Sequence, residues 1–249
     1  MSHINTYHDF IKEQFINIGI KLNDDQINKF ITYYEMLIEK NKVVNLTAIT
    51  DFKEVVVKHF VDSVLAYKVK NFNSKLSFKS LKIIDVGTGA GFPGIPLKIV
   101  FDNLNLTLLD SLNKRVVFLQ EVVDKLNLQN VECVHGRAED FGCNKDYREK
   151  YDICVSRAVS NLSTLSEYCV PFIKNNGIFI SYKTANAVEE IENAGNALRL
   201  LNCNLKSIQD FELSGIEDKY IRKYVVITKK GSLSNKYPRK AGLPSKNPL

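Results

Sequence analysis

The chain is predicted to be an α/β protein: a mostly parallel sheet with flanking helices, closed by a terminal antiparallel hairpin and preceded by N-terminal helices. Three observations predict it. From Leu81 onward, short apolar runs alternate with amphipathic stretches, as βαβ units require. A glycine-rich turn follows the first of those runs. The last two β-rich runs, 205–213 and 224–228, follow one another with no helical stretch between them.

The elements follow in order. Residues 1–75 read as helices. Asn23-Asp-Asp-Gln26 resembles a capping box, and Phe30, Ile31, Tyr34, Leu37 and Ile38 recur at helical spacing. Asn45–Thr50 is a short polar connection. Asp51, with Glu54 three residues on, opens a helix carrying Val55, Val56, His59, Phe60, Val64 and Leu65. The Asn-, Ser- and Lys-rich stretch 71–79 reads as a boundary. Strands are then expected at Lys82–Val86, 104–109, 131–134, 151–155 and 177–181, with helices over 113–126, 162–172 and 187–201. The resulting organisation is a helical extension (1–75) packing on a main domain (76–230), followed by a basic tail containing proline (231–249).

Length and composition bound the function. The 249 residues allow one or two domains, and 45% hydrophobic with 25% charged residues exclude a disordered or collagen-like chain. No apolar run reaches the ~18 residues of a membrane helix, and the N-terminus lacks a secretory pattern. Five scattered cysteines without a CxxC point to reduced thiols in a cytoplasmic protein and to no metal site. The net charge of +6 is unevenly placed: nine of the 34 basic residues and none of the 28 acids lie at 219–249, so residues 1–218 carry −3. Such asymmetry suits either a polyanion partner or a solvated tail.

Ile83-Ile-Asp-Val-Gly-Thr-Gly-Ala-Gly91-Phe-Pro-Gly94 carries the most information. Gly87, Gly89 and Gly91 after a strand permit a tight turn that presents backbone N–H groups to a ligand. Gly89, Gly91 and Gly94 also match the dinucleotide pattern GxGxxG. Asp85, where dinucleotide-binding strands carry an apolar residue, favours a cationic ligand or caps the turn. Asp110, ending the second strand, sits where a carboxylate grips a ribose diol, or else it caps the next helix. The pattern D-x-G-x-G-x-G, the downstream acid and the terminal hairpin together resemble class I S-adenosylmethionine-dependent methyltransferases, a Rossmann-like fold.

DVGTGAGFPGIPL, LLDSLNKRVVFL, GRAED, VSRAV and the upstream NLTAITD and HFVDS are similar, in colinear order over about 30–230, to the RsmG (GidB) family. The resemblance implies a transferase that methylates N7 of a guanosine in the decoding region of 16S rRNA, an activity in rRNA processing and ribosome biogenesis. It also implies S-adenosyl-L-methionine as cofactor, with Gly87 and Phe92 lining its pocket, Ala138 and Glu139 beside the adenine, and Arg157 at the mouth. The cofactor set is therefore Gly87, Gly89, Phe92, Asp110, Ala138, Glu139 and Arg157. Two features depart from the family pattern: a longer loop at 143–150, and Tyr-Lys-Thr-Ala at 182–185.

Guanine N7 bears a lone pair and no proton, so methyl transfer needs no general base. No catalytic residue is named. His59, Asp62 and Ser63 either line the guanine pocket or tie the helical extension to the sheet. Lys114, Arg115, Lys183 and Arg239 are the expected rRNA contacts, with Tyr237 on a stiff C-terminal arm placed to stack on a base. The chain is expected to act as a monomer on 16S rRNA within a small-subunit particle, without membrane or metal. Other readings are a methyltransferase of this fold acting on a protein or small molecule, an NAD-dependent oxidoreductase, and a non-catalytic RNA-binding module with a vestigial cofactor pocket.

Overall fold

Each short apolar run from Lys82 onward becomes a strand of one seven-stranded sheet, which organises everything else in the chain. The computed structural model of the protein describes residues 2–76, 80–157, 159–214 and 219–249. The strands are β1 (Lys82–Val86), β2 (Asn105–Asp110), β3 (Val131–His135), β4 (Tyr151–Arg157), β5 (Ile173–Thr184), β6 (Cys203–Ser214) and β7 (Lys219–Lys229), in the order β3-β2-β1-β4-β5-β7-β6. The first five run parallel, with Ile83 opposite Leu106 on one side and Ile153 on the other. β7 enters antiparallel between β5 and β6, which forms the expected hairpin. The strand order reverses between β1 and β4, the position at which doubly wound sheets open a crevice at their carboxyl ends.

Helices cover both faces. On one face, Ser2–Asn17, Asp24–Val44 and the segment 52–76 bury Phe15, Phe30, Val55, Phe60 and Phe72 in a core shared with Leu81, Ile83, Leu106 and Ile153. Asn23 and Gln26 form the reciprocal capping box, and the Gln26 amide also reaches the Ile99 carbonyl at 2.9 Å. Stretch 71–79 departs from a simple boundary: a helix, Lys70–Leu76, occupies its first part because Phe72 is drawn into the core, while 77–79 lie outside the described residues. On the other face, Leu162–Cys169, Val188–Asn193 and Gly195–Leu200 cover Ile84, Val86, Cys154 and Phe179.

The C-terminal tail is not a projecting arm. It folds back over this second face, where Tyr237 and Leu249 join the core and Pro238 rests on Gly142. The Arg148 guanidinium donates to the Tyr237 carbonyl at 2.8 Å and the Leu233 carbonyl at 3.1 Å. Tyr237 therefore spends its ring on packing rather than on a base. Of the nine cations from 219 onward, five (Lys219, Arg222, Lys223, Lys229 and Arg239) are paired with acids elsewhere in the chain. Among the described residues no helix is long and apolar enough to cross a membrane, and no cluster of His, Cys, Asp and Glu could hold a metal.

Candidate active site

The chain leaves β1 through Gly87, Gly89 and Gly91, with φ of +70°, +62° and +104°. At Gly87 a Cβ would lie 2.5 Å from Val159 Cγ2, whereas at Gly89 it would meet no atom of the described residues within 4 Å. The middle of the turn is thus an open cradle of backbone. Asp85 ties the turn from below: its Oδ2 accepts from Thr88 Oγ1 at 2.7 Å and from the Gly94 N–H at 2.8 Å. Its Oδ1 is buried without a hydrogen-bond partner among the described residues. Burial pushes this carboxyl up to about 7, against the pull of those two hydrogen bonds.

Asp110 closes the cradle from β2. Its Oδ2 accepts from the Gly89 N–H and its Oδ1 from the Leu112 N–H, both at 2.9 Å. It is not the cap of the helix Asn113–Lys125, since Leu112 occupies that position with no side-chain cap. Gly87, Asp110, Ala138 and Glu139 line one cavity of about 160 Å³ together with Val159 and Gly242. Gly89 adjoins it through its bond to Asp110.

Phe92 and Arg157 belong to the other side of the turn. The Phe92 ring stacks on His59, with centroids 4.6 Å apart, and carries the Arg157 guanidinium at 5.1 Å. It also meets Tyr33 of the helix Asp24–Val44 at 5.5 Å, and the Tyr33 hydroxyl donates to the Ala90 carbonyl at 2.5 Å. The helical extension therefore holds the outside of the turn. A second cavity, about 300 Å³, is lined here by Ile49, Lys58, His59, Arg157, Tyr220 and Arg222.

A wide turn positions that second cavity. Residues Val56–Val61 form a π-helical segment rather than the plain helix expected, a form that recurs at functional sites. Beyond it, Asp62 is fully buried and accepts from Arg157 Nη1 at 2.8 Å and Arg222 Nε at 2.7 Å. The Tyr224 hydroxyl donates to the Asp62 carbonyl and the Tyr182 hydroxyl to that of Ser63, each at 2.8 Å. His59 Nδ1 lies 3.1 Å from the Lys58 carbonyl and 3.3 Å from Arg157 Nη2, and its Nε2 shares a hydrogen bond with Thr47 Oγ1 at 2.8 Å. Burial, followed by the Arg157 charge, lowers His59 to about 3, so it is neutral and a weak base. This constellation both lines a cavity and ties the extension to the sheet.

The expected rRNA contacts are divided. Lys114 is exposed on the helix above β2, and Arg115 leans towards Asp110 at 3.6 Å. Lys183 is largely buried, bonded to Glu190 and to the Ser160 carbonyl. Arg239 gives its guanidinium to the fully buried Glu167, with Nη2 to Oε2 at 2.7 Å, and is a clasp for the tail rather than a free phosphate ligand. Ala158 of the Ser-Arg-Ala motif lies outside the described residues. Sequence reasoning missed Arg222 and Glu167. Glu167 had a signal: it is the one acid in the otherwise apolar and small stretch 162–172.

Comparison with known proteins agrees with this geometry. The family model GidB, rRNA small subunit methyltransferase G, matches residues 26–218. The chain is 49% identical to the ribosomal RNA small subunit methyltransferase G of Acetivibrio thermocellus, over 93% of this chain and 92% of that one. It is 45% identical to that of Clostridium perfringens, over 98% and 99%, and 48% identical to that of Oceanobacillus iheyensis, over 95% and 98%. Among solved structures, a Methanococcus maripaludis protein described as an S-adenosyl-L-methionine-dependent methyltransferase shares the fold, with a TM-score of 0.50, 14% identity, and coverage of 81% and 93%. A Thermus thermophilus branched-chain polyamine synthase does so at a TM-score of 0.55 and 10% identity, covering 71% of this chain and 59% of that one. On this sequence similarity, extended over nearly its whole length, the chain belongs to the GidB family of rRNA small subunit methyltransferases.

Proposed function

We propose that this chain transfers the methyl group of S-adenosylmethionine to N7 of a guanosine in the decoding region of 16S rRNA, presented on a small-subunit particle. The observation that carries the reading is the pairing of an open glycine cradle with a cationic cavity on the opposite side of one turn. The residues fit the cofactor. Gly89 leaves room for close approach, and Asp110, which lines the cavity, stands at the end of β2 where a ribose diol is gripped. Glu139 offers an acceptor for the adenine amine.

Bound there, the cofactor supplies an electrophilic sulfonium methyl. The N7 lone pair would take that methyl as the methyl–sulfur bond breaks, with the positive charge passing from sulfur to the base, so the site's part is to hold the two in line. No proton moves, so the step asks no base of His59, which burial and Arg157 hold neutral. Lys114, exposed on the helix above β2, offers charge to RNA phosphate, while Arg157 and Arg222, paired with Asp62, and Lys58, paired with Glu54, line the second cavity. The test is methyl transfer from labelled S-adenosylmethionine to small subunits lacking the modification, with mass spectrometry of the digested RNA. Label in 7-methylguanosine at one position supports the reading. Label in another nucleoside, or in ribosomal protein, overturns it.

A further inference from the structure

The cavity beside Gly87 has a wall that the family's matched region does not supply. The family match ends at 218, yet Gly242 and Ser245 line this cavity opposite Asp110 and Ala138. The tail is held there by specific bonds. Arg239 grips the buried Glu167 through Nε and Nη2 and also donates to the Asn247 carbonyl at 2.8 Å. The Thr164 hydroxyl donates to the Pro244 carbonyl at 3.1 Å. The Gly242 N–H donates to Glu139 Oε1 at 2.8 Å, and Gly242 has φ +82°, a conformation that glycine adopts without strain. With this wall in place the cavity measures about 160 Å³, below the ~300–1,000 Å³ of typical ligand pockets.

We propose that residues 242–245 are part of the cofactor site: the tail forms its wall at the adenosine end, and the Gly242 N–H fixes the Glu139 carboxylate for the adenine amine. This rests on the S-adenosylmethionine reading above. Gly242 is a positioning residue and Arg239 the clasp that keeps it in register. The tail's positive charge then serves attachment to Glu167, and its proline and glycine residues shape the wall. Cofactor affinity and base selectivity thereby depend on a segment far from the glycine turn in sequence.

The test is calorimetry on the full chain with S-adenosylhomocysteine and with S-inosylhomocysteine, whose purine carries a carbonyl in place of the amine. Wild type is expected to prefer the adenine compound. Gly242→Pro removes the N–H and, because proline cannot hold φ +82°, displaces the wall with it, and Arg239→Ala removes the clasp; each is expected to weaken S-adenosylhomocysteine by about tenfold and to shrink the preference. Gly242→Asn keeps the N–H in a residue that tolerates positive φ, and is expected to retain the preference. Should Gly242→Pro fail to give a cooperative melt, Arg239→Ala decides. Wild-type affinity and preference in the variants overturn the tail's role alone. A wild type that binds neither compound overturns the cofactor reading and the tail's role with it.

Discussion

The glycine turn and the carboxylate that closes it come from two adjacent strands, whereas the cavity around Arg157 draws its charges from distant segments. Gly87, Gly89 and Asp110 sit at the ends of two adjacent parallel strands, in register because Val86 pairs with Leu109. On the other side, Asp62 comes from the helical extension, Arg157 from β4 and Arg222 from β7, and they meet only when the extension docks on the sheet. The first side depends on backbone conformation and the second on ion pairing in a dry environment. The two should therefore fail in different ways.

The largest expected effect is on the paired side. Asp62→Ala leaves two guanidinium groups without their shared carboxylate, and stability is expected to fall by about 3–5 kcal/mol in urea unfolding. A loss below about 1 kcal/mol, the range of surface pairs, would break the claim that this network holds the extension in place.

The pH dependence of stability separates the sides next. His59, lowered to about 3 in the fold, stays neutral while the unfolded imidazole takes a proton, so its contribution is lost as pH falls below about 6.5. Asp85, raised to about 7, keeps its proton when the unfolded carboxyl has lost it, so its contribution grows as pH falls from about 7 towards 4. The two slopes oppose each other. Relative to wild type, His59→Gln is expected to gain stability on acidification from pH 7 to 5, and Asp85→Asn to lose it, each by an amount on the order of a few kcal/mol. Equal pH profiles for both variants and wild type would refute the assignment.

The backbone side is probed by Gly87→Ala, which adds a Cβ against Val159 at positive φ. S-adenosylhomocysteine affinity is expected to drop about a hundredfold by calorimetry. Arg157→Ala sharpens the contrast: kcat/KM for small subunits is expected to fall tenfold or more, roughly, with S-adenosylhomocysteine affinity changed by less than about threefold. An equal loss of cofactor affinity would instead return Arg157 to the cofactor pocket. The smallest effect belongs to Lys114→Ala, which is expected to reduce the slope of log binding constant against log salt by about one.

Much of the local structure was legible because it rests on neighbours in sequence. Lys82–Val86 is a strand as expected, and the helix expected over 113–126 is Asn113–Lys125. The misjudged elements owe their form to distant partners. β5 begins at Ile173 rather than 177 because Ile173 pairs with Tyr151 before the ladder shifts register. The helix expected over 187–201 is split at Ala194 into Val188–Asn193 and Gly195–Leu200. The π-helical turn at Val56–Val61 has no counterpart in the apolar spacing, which is compatible with an ordinary helix.

The candidate site divides along the same line. Glycine, Asp85 and Asp110 announced the cradle, since positive φ and strand-end carboxylates are properties of a residue and its position. What Arg239, Lys183 and Tyr237 pack against and pair with is not legible in sequence, which counts charges and rings without showing what lies opposite them. Glu167, Glu190 and the second-face core supply those partners. The sequence by itself determined the order of elements, the glycine turn and the family. Only the tertiary structure decided which cations remain available to a polyanion and that the tail walls the pocket, because burial and pairing depend on segments brought together from opposite ends of the chain.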